Sequence, residues 1–271
     1  MLKAISIALI TVATLYIVAN NVIDSENAIS TKKLLMLNSE ANTDYAYYKY
    51  AVEWPGSTCY SRACKYDNEG PTTWNQHGLW PNGKTTYNVP DCSHEAFDVK
   101  AFSSSQLDEI KAFWEGMYSS NEGFWNHEWS KHGTCWNPTL GDSSKMPANI
   151  KDTIQNARNA YNKDEKMITH YFHSVYGVHQ NVDFYKALSA SGITPSNDQA
   201  RPLSDYADAF SKYWNIKNFD LICIKGDDQK GTLLNEVRIC IDLDYNVMDC
   251  PTKSVQHCQD TNEVWYPVHK Q

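Results

Sequence analysis

Two short segments carry the residues that could do acid–base chemistry. Residues 74–81 read Trp-Asn-Gln-His-Gly-Leu-Trp-Pro, and residues 124–135 read Phe-Trp-Asn-His-Glu-Trp-Ser-Lys-His-Gly-Thr-Cys. Together they hold three histidines, a glutamate and a lysine, interleaved with aromatic side chains. Such a set can transfer protons and neutralise charge at a phosphate without a metal. The aromatic residues indicate a phosphate that belongs to a molecule with bases that stack.

The second segment has a one-sided charge pattern when its residues are placed on a helix at about 100° intervals. Four ionisable side chains then fall at relative angles of about 0°, 40°, 100° and 140°: His127, Lys131, Glu128 and His132. Phe124 falls within this face at about 60°, whereas Trp125 and Trp129 fall near 160° and 200°, where they can anchor the helix in a core. Charged helix faces are usually only solvated, and i,i+4 pairs of this kind modestly support any helix. The tryptophans behind the charges favour the wall of an active site.

Metal binding is the main alternative for these histidines. A zinc metalloprotease pattern needs two histidines four residues apart on one helix face. His127 and His132 are separated by one residue more, so their side chains diverge by about 140°. His170 and His173 form a second conceivable pair, and we expect them to be ordinary core or surface residues. No Cys-x-x-Cys pair occurs in the chain, and we predict neither a metal nor another cofactor.

The N-terminal segment and the cysteines predict a protein of the secretory pathway. One lysine followed by a largely apolar run from Ala4 to Ala19 is typical of a signal peptide, with an uncleaved anchor as the alternative. All eight cysteines lie after that run, which indicates a disulfide framework formed in an oxidising compartment. The net charge of −8 argues against a protein that holds nucleic acid on a broad basic surface. It is compatible with an enzyme that needs positive charge only in one cleft.

Periodicity and turn residues divide the rest of the chain into strands and helices. Four strands are predicted: 45–54, 73–77, 220–224 and 233–243. Helices are predicted over four segments, the third holding one or two of them: 104–119, 121–132, 147–177 and 182–190. Gly78 and Pro81 are expected to turn the chain after the second strand. The polar segment 20–43 is interpreted as a leader or flexible arm, and no repeat or linker divides the chain beyond it.

The two histidine-bearing segments resemble a known pair of signatures. His-Gly-Leu-Trp-Pro at 77–81 and His-Glu-Trp-Ser-Lys-His-Gly-Thr-Cys at 127–135 are similar to the two active-site motifs of the ribonuclease T2 family. The resemblance covers the chain from about Tyr45 to Cys258. It includes shorter stretches in the family's order: Trp54-Pro55 followed by Cys59, Gly192 to Pro195, Leu221 to Cys223, Leu234 to Cys240, and Asp249 to Pro251.

The resemblance implies an α+β fold, a single disulfide-stapled domain in which helices flank a central, mainly antiparallel β-sheet. With a signal peptide at about 1–19 and the leader at 20–43, the family-like domain occupies 44–271. The resemblance also implies four disulfides: Cys59–Cys64, Cys92–Cys135, Cys223–Cys258 and Cys240–Cys250. The second would tether the end of helix 121–132 to the loop after the first motif.

The resemblance further implies a secreted endoribonuclease that cleaves single-stranded RNA without a metal. The 2′-hydroxyl would attack the neighbouring phosphate, giving a 2′,3′-cyclic phosphate and then a 3′-phosphate, so DNA would not be cleaved. His132 would be the general base and His77 the general acid, an assignment that the residues alone leave open. Lys131 and His127 would hold the phosphate. Glu128 would polarise the phosphate or orient a histidine.

Four more residues are expected to contact bases. Trp80 and Tyr87 would offer stacking faces, with core packing as the alternative for both. Asn82 would read a base edge, and Phe124 would contact the base on the other side of the scissile bond. We expect a monomer without a membrane anchor after signal removal, in an extracellular, lysosomal or vacuolar compartment. A catalytically silent RNA- or protein-binding member of the fold and a metal-dependent phosphodiesterase are the alternative functions.

Overall fold

The structure is a computed structural model that describes eight stretches of the chain: residues 45–60, 62–65, 73–83, 92–163, 165–227, 230–252, 256–258 and 260–269. The predicted signal peptide, the leader at 20–43 and Tyr87 lie outside these residues. The described residues form one α+β domain around an eight-stranded sheet, as the resemblance implied. No helix in these stretches has both the length and the apolar character to cross a membrane.

The sheet is built mainly from antiparallel pairs. Its strands are, in chain order, β1 (Tyr45–Glu53), β2 (Asn75–Gly83), β3 (Ala200–Arg201), β4 (Asp220–Lys225), β5 (Thr232–Ile241), β6 (Val247–Met248), β7 (Gln256–His257) and β8 (Val264–Trp265). The main path runs β2-β1-β5-β4-β7. The three longest pairings, β1 with β2, β1 with β5 and β4 with β5, are antiparallel, whereas β4 with β7 and β5 with β8 are parallel.

The described helices, in chain order, are α1 (Pro55–Thr58), α2 (Ser104–Lys111), α3 (Asn121–Lys131), α4 (Ala148–Tyr161), α5 (Ile168–Asn181), α6 (Phe184–Ser189) and α7 (Leu203–Trp214). One hydrophobic cluster joins them to the sheet, with Tyr50 and Val237 from the strands packed among helix residues such as Trp125 and Phe172. The segment 147–177, predicted to hold one or two helices, contains two, α4 and the greater part of α5.

Helix α2 is shorter than the predicted 104–119. Its start is fixed by a capping box between Ser103 and Gln106. It ends at Lys111 because the chain then bonds to strand β2 instead. The backbone N–H of Gln76 donates to the Phe113 carbonyl at 2.8 Å. The Asn75 side chain donates to the Glu115 carbonyl through Nδ2 and accepts from the Glu115 backbone N–H through Oδ1. These tertiary hydrogen bonds replace the helical ones that local propensity favoured.

Strand β2 corrects the expectation of a turn at Gly78 and Pro81, because the strand continues through both residues to Gly83. β2 is the edge strand of the main path, where a proline without an amide hydrogen is tolerated. Aromatic side chains satisfy polar groups of this strand. The Trp114 indole donates to the His77 carbonyl at 3.0 Å, and the Tyr171 hydroxyl donates to the Leu79 carbonyl at 2.9 Å.

All eight cysteines are paired, in the four disulfides that the resemblance implied. Cys135 lies in a 3-10 turn, Gly133–Cys135, that begins directly after α3 and His132. The Cys92–Cys135 bond closes a stretch of 43 residues, against 5 for Cys59–Cys64. The chain-entropy model therefore assigns it the larger effect on the unfolded chain.

Replacing Cys92 and Cys135 together by alanine is expected to lower the free energy of unfolding by about 4 kcal/mol. The matched removal of Cys59 and Cys64 should cost about 2 kcal/mol, because that bond closes a much shorter loop. Guanidinium unfolding of the two double variants and the wild type measures both losses. An equal or reversed order would contradict the loop-length explanation.

Candidate active site

His77 occupies a β-bulge in the edge strand β2. Ala51 of β1 is paired with Gly78 and Val52 with Gln76, so His77 is an extra residue with no partner in the register. In a regular strand, side chains three residues apart point to opposite faces. The bulge re-aims the side chain, and the rings of His77 and Trp80 contact each other at a centroid distance of 5.1 Å.

Three carboxylates surround the His77 ring. Its Nδ1 lies 3.2 Å from Glu236 Oε2, within hydrogen-bond distance, and 3.8 Å from Glu53 Oε1. Its Nε2 lies 3.9 Å from Glu128 Oε1. Glu53 and Glu236 are directly opposed in the register of β1 and β5. The sheet thus holds one end of the imidazole and leaves the other end toward helix α3.

Trp80 contacts His77 and His132 and is hydrogen-bonded to Glu128. Its indole nitrogen donates to Glu128 Oε2 at 2.9 Å. The His132 ring lies 5.2 Å from the indole ring, and the Arg238 guanidinium lies 5.1 Å from the same ring. Trp80 is only 7% exposed. The indole is therefore enclosed on several sides by charged or titratable groups.

Burial along helix α3 follows the angular order that the helix geometry predicts. Trp125, Glu128 and Trp129 are buried, and His132 at the end of the helix is also buried. His127 and Lys131, at the other end of the arc, are exposed, and Phe124, which lies between Lys131 and Glu128 on the arc, is half-buried. The Trp125 indole donates to the Trp114 carbonyl at 2.7 Å, which anchors the helix in the core. The predicted face is thus one continuous surface with a buried part and an exposed part.

The carboxylates around His77 alter its protonation and their own. Burial by itself lowers the pKa of His77. The hydrogen bond to Glu236 and the charges of Glu53 and Glu128 outweigh burial and raise that pKa to about 9. Burial raises the pKa of Glu128 to about 7, against the opposing effects of His77 and Trp80.

The pKa values of Glu53 and Glu236 are shifted in opposite directions although the two residues face each other. Burial raises the pKa of Glu53. Burial also acts upward on Glu236, but the hydrogen bond and charge of His77, together with Arg238, leave its pKa lowered. The Arg238 Nε donates to the second oxygen of Glu236. Glu236 is therefore the carboxylate of this pair that holds its charge most firmly.

A sequence model of the Ribonuclease T2 family matches residues 45–250, which include every residue of this cluster. The chain belongs to the ribonuclease T2 family. Ribonuclease T2 protein rnst-2 of Caenorhabditis elegans is 30% identical over 84 residues. That match covers 30% of this chain and only 28% of the worm protein.

Solved ribonucleases are similar to this ribonuclease T2 family member over most of its length. Human RNase T2 is 21% identical with a TM-score of 0.60, covering 83% of this chain and 100% of that chain. SF11-RNase of Nicotiana alata is 20% identical with a TM-score of 0.62, and RNase NT, solved with 5′-AMP, is 23% identical with a TM-score of 0.59. Each also covers 83% of this chain and 100% of its own. At these identities the likeness shows the fold.

The structure brings most of the predicted site residues of this family member together. Direct contacts join His77, Trp80, Glu128 and His132, and the Phe124 ring lies 6.0 Å from the His77 ring. The two remaining predicted phosphate-binding residues lie exposed on the same helix, α3: His127 and Lys131. Asn82 in β2 was predicted to read a base edge. Its side chain is buried and donates to the Trp80 carbonyl at 2.9 Å.

Three residues of the cluster were missed by the sequence reasoning. Glu53 and Glu236 come from strands β1 and β5, and Arg238 lies two residues after Glu236. The stretch Leu234 to Cys240 resembles the family, but the resemblance gave no role to any of its side chains. These residues are recognisable only from the register of β1 against β5, and a local sequence pattern does not encode that register.

The same cluster has a spacing that a cation could use. One ligand atom from each of Glu53, His77 and Glu236 lies within 4.8 Å of the other two. A cation would have to displace the proton of His77, and Arg238 already donates to Glu236. We interpret the set as a proton-binding cluster and assign no metal to it.

Gly78→Ala is expected to disrupt the site from within the strand. A β-carbon at this position would lie 2.0 Å from Trp80 Nε1 and 2.3 Å from Glu128 Oε2. Crowding of this kind costs about 1–3 kcal/mol, and it would separate the indole from the carboxylate. The free energy of unfolding measured in urea and the rate of RNA cleavage should both fall. Gly231→Ala is the control, since its β-carbon would meet no atom within 4 Å; equal behaviour of the two variants would contradict the prediction.

Proposed function

We propose that the protein is a metal-independent endoribonuclease that cleaves single-stranded RNA through the 2′-hydroxyl. The observation that carries this proposal is the packing of two histidines and a buried carboxylate around one indole. His77 and His132 both contact the Trp80 ring, and Glu128 accepts its N–H. Two imidazoles in one cleft supply the base and the acid that a phosphodiester transfer needs.

The first step forms one bond and breaks another at phosphorus. The 2′-oxygen attacks the phosphorus while His132 takes the 2′-hydroxyl proton. The bond from phosphorus to the 5′-oxygen breaks, and His77 gives its Nε2 proton to that oxygen. The product is a 2′,3′-cyclic phosphate. In the second step water replaces the departed alcohol, the two histidines exchange roles, and a 3′-phosphate results.

Glu128 has the properties of a neutral hydrogen-bond donor at acidic pH. Its raised pKa of about 7 keeps the carboxyl protonated in an acidic compartment. Trp80 fixes one oxygen of Glu128, which leaves the other oxygen to share a proton with the phosphate. A fixed donor aimed at developing negative charge is an effective form of transition-state stabilisation. Lys131 and His127, exposed one turn apart on α3, are proposed to hold the outer phosphate oxygens.

The base-binding roles divide according to exposure. Half-buried Phe124 beside His77 is proposed to contact a base, for which stacking supplies about 1–3 kcal/mol. Trp80 and Asn82 are too enclosed to offer a large surface to a base, so positioning of the catalytic groups fits them better. Tyr87, outside the described residues, stays a proposed stacking face. A monomer in an extracellular, lysosomal or vacuolar compartment is proposed, with RNA rather than DNA as substrate.

The decisive experiment incubates the mature protein with RNA and, in parallel, with DNA at about pH 5 in excess EDTA. We expect 2′,3′-cyclic phosphate ends on the RNA and intact DNA. His77→Ala and His132→Ala should each lower the rate by about 10²-fold or more. Cleavage abolished by EDTA would indicate a metal-dependent phosphodiesterase. No cleavage at any pH would favour the silent, binding alternative.

Glu128→Gln tests the proton on Glu128. In the wild type the carboxyl loses its proton as pH rises through about 7, so the rate should fall there. Glutamine keeps an uncharged donor and an oxygen for the Trp80 indole, so this variant should keep part of the activity and lose the decline near pH 7. The measurement is kcat/KM from pH 4 to 9 for both proteins. A decline near pH 7 that persists in Glu128→Gln would assign it to another group.

A further inference from the structure

The register of β1 and β5 places two glutamates directly opposite each other, at Glu53 and Glu236. Like charges at opposed positions destabilise a sheet, and here both side chains are more than four-fifths enclosed. Such a pair is stable when positive charge lies beside it or when one of the two carboxylates is protonated. His77 supplies one positive charge through Nδ1, and Arg238 supplies another through its bond to Glu236.

We propose that Glu236 is a positioning residue for the reaction: its carboxylate orients the His77 ring through Nδ1 and keeps a proton available on Nε2. This proposal rests on the proposed ribonuclease function. The geometry supports it because the Nδ1 to Glu236 distance is 3.2 Å and the opposite nitrogen, Nε2, faces Glu128 on helix α3 at 3.9 Å. An imidazole held at one nitrogen by a carboxylate presents the other in a fixed direction.

The groups around His77 have unequal weight in this arrangement. Glu236 makes the hydrogen bond, whereas Glu53 at 3.8 Å acts only through its charge. Arg238 donates to Glu236, so its positive charge offsets part of the carboxylate charge that acts on His77. Glu128 faces Nε2 at 3.9 Å, and the Phe124 and Trp80 rings complete the surroundings without charge.

These unequal contributions predict the direction and the relative size of the change in the His77 titration for each variant. Glu236→Gln keeps an oxygen that can accept from Nδ1 and removes the charge, so the titration of His77 should move down by about 1–3 pH units. Glu53→Gln should move it down by less. Arg238→Gln should move it up. Glu263→Gln, an exposed glutamate outside the cluster, is the matched control and should leave it unchanged.

The experiment tracks the His77 ring protons by NMR from pH 4 to 10, with the resonance assigned by its loss in His77→Gln. This readout does not depend on RNA cleavage, so it judges the role of Glu236 even if the wild type cleaves nothing. That outcome would refute the proposed function alone. Should Glu236→Gln fail to fold, the opposite shifts in Glu53→Gln and Arg238→Gln decide the matter. An unshifted His77, or a reversed rank, would overturn the proposal.

The kinetic arm separates orientation from charge. Glu236→Gln should keep most of the wild-type kcat at pH 5 but lose at least tenfold more activity than the wild type between pH 5 and pH 8. Glu236→Ala, which removes the acceptor as well, should lower kcat already at pH 5 with little change in KM, because the proposal has Glu236 act through His77 and not on the substrate. Equal pH profiles for Glu236→Gln and the wild type would count against the proposal.

Discussion

The hydrogen bond from the Trp80 indole to the Glu128 carboxylate is the contact on which the arrangement of the site depends. It joins an edge strand to a helix, and it is buried, so neither partner has water as a substitute. Other contacts hold each element in the position where this hydrogen bond can form. Tyr171 and Trp114 hold the carbonyls of β2, and buried Trp125 and Trp129 hold α3. The heavy aromatic composition of the chain thus serves as much to donate hydrogen bonds as to fill the core.

Charge balance is the second constraint on the site. Buried carboxylates are stable only when they are paired or protonated. The cluster uses both solutions, since Glu236 is paired with His77 and Arg238 while burial favours the protonated form of Glu128. The stability of this cluster therefore depends on the protons bound to His77 and Glu128. The acidic net charge of the whole chain has little bearing on this local balance, which is set over a few ångströms inside the sheet.

Local patterns predicted the parts of the structure that depend on local geometry. The 3.6-residue period placed the residues of α3 in the observed order of burial, because a helix has one geometry over its whole length. The same approach was wrong for β2, where Gly78 and Pro81 suggested a turn, since an edge strand tolerates residues that an interior strand excludes. It could not identify Glu53 and Glu236, which meet only through the pairing of two strands distant in sequence. The family resemblance, in contrast, anticipated all four disulfides.

The β-bulge at His77 makes the site depend on the exact number of residues in a strand. Side chains alternate between the two faces of a strand. The extra residue at His77 shifts this alternation by one position, so the side chains at positions 77 and 80 lie on the same face. Loss of one residue from that stretch would restore regular pairing and send the imidazole to the opposite face, with every remaining side chain chemically intact. A single-codon deletion at the start of β2 would therefore separate His77 from Trp80 and Glu128 without replacing any side chain of the site.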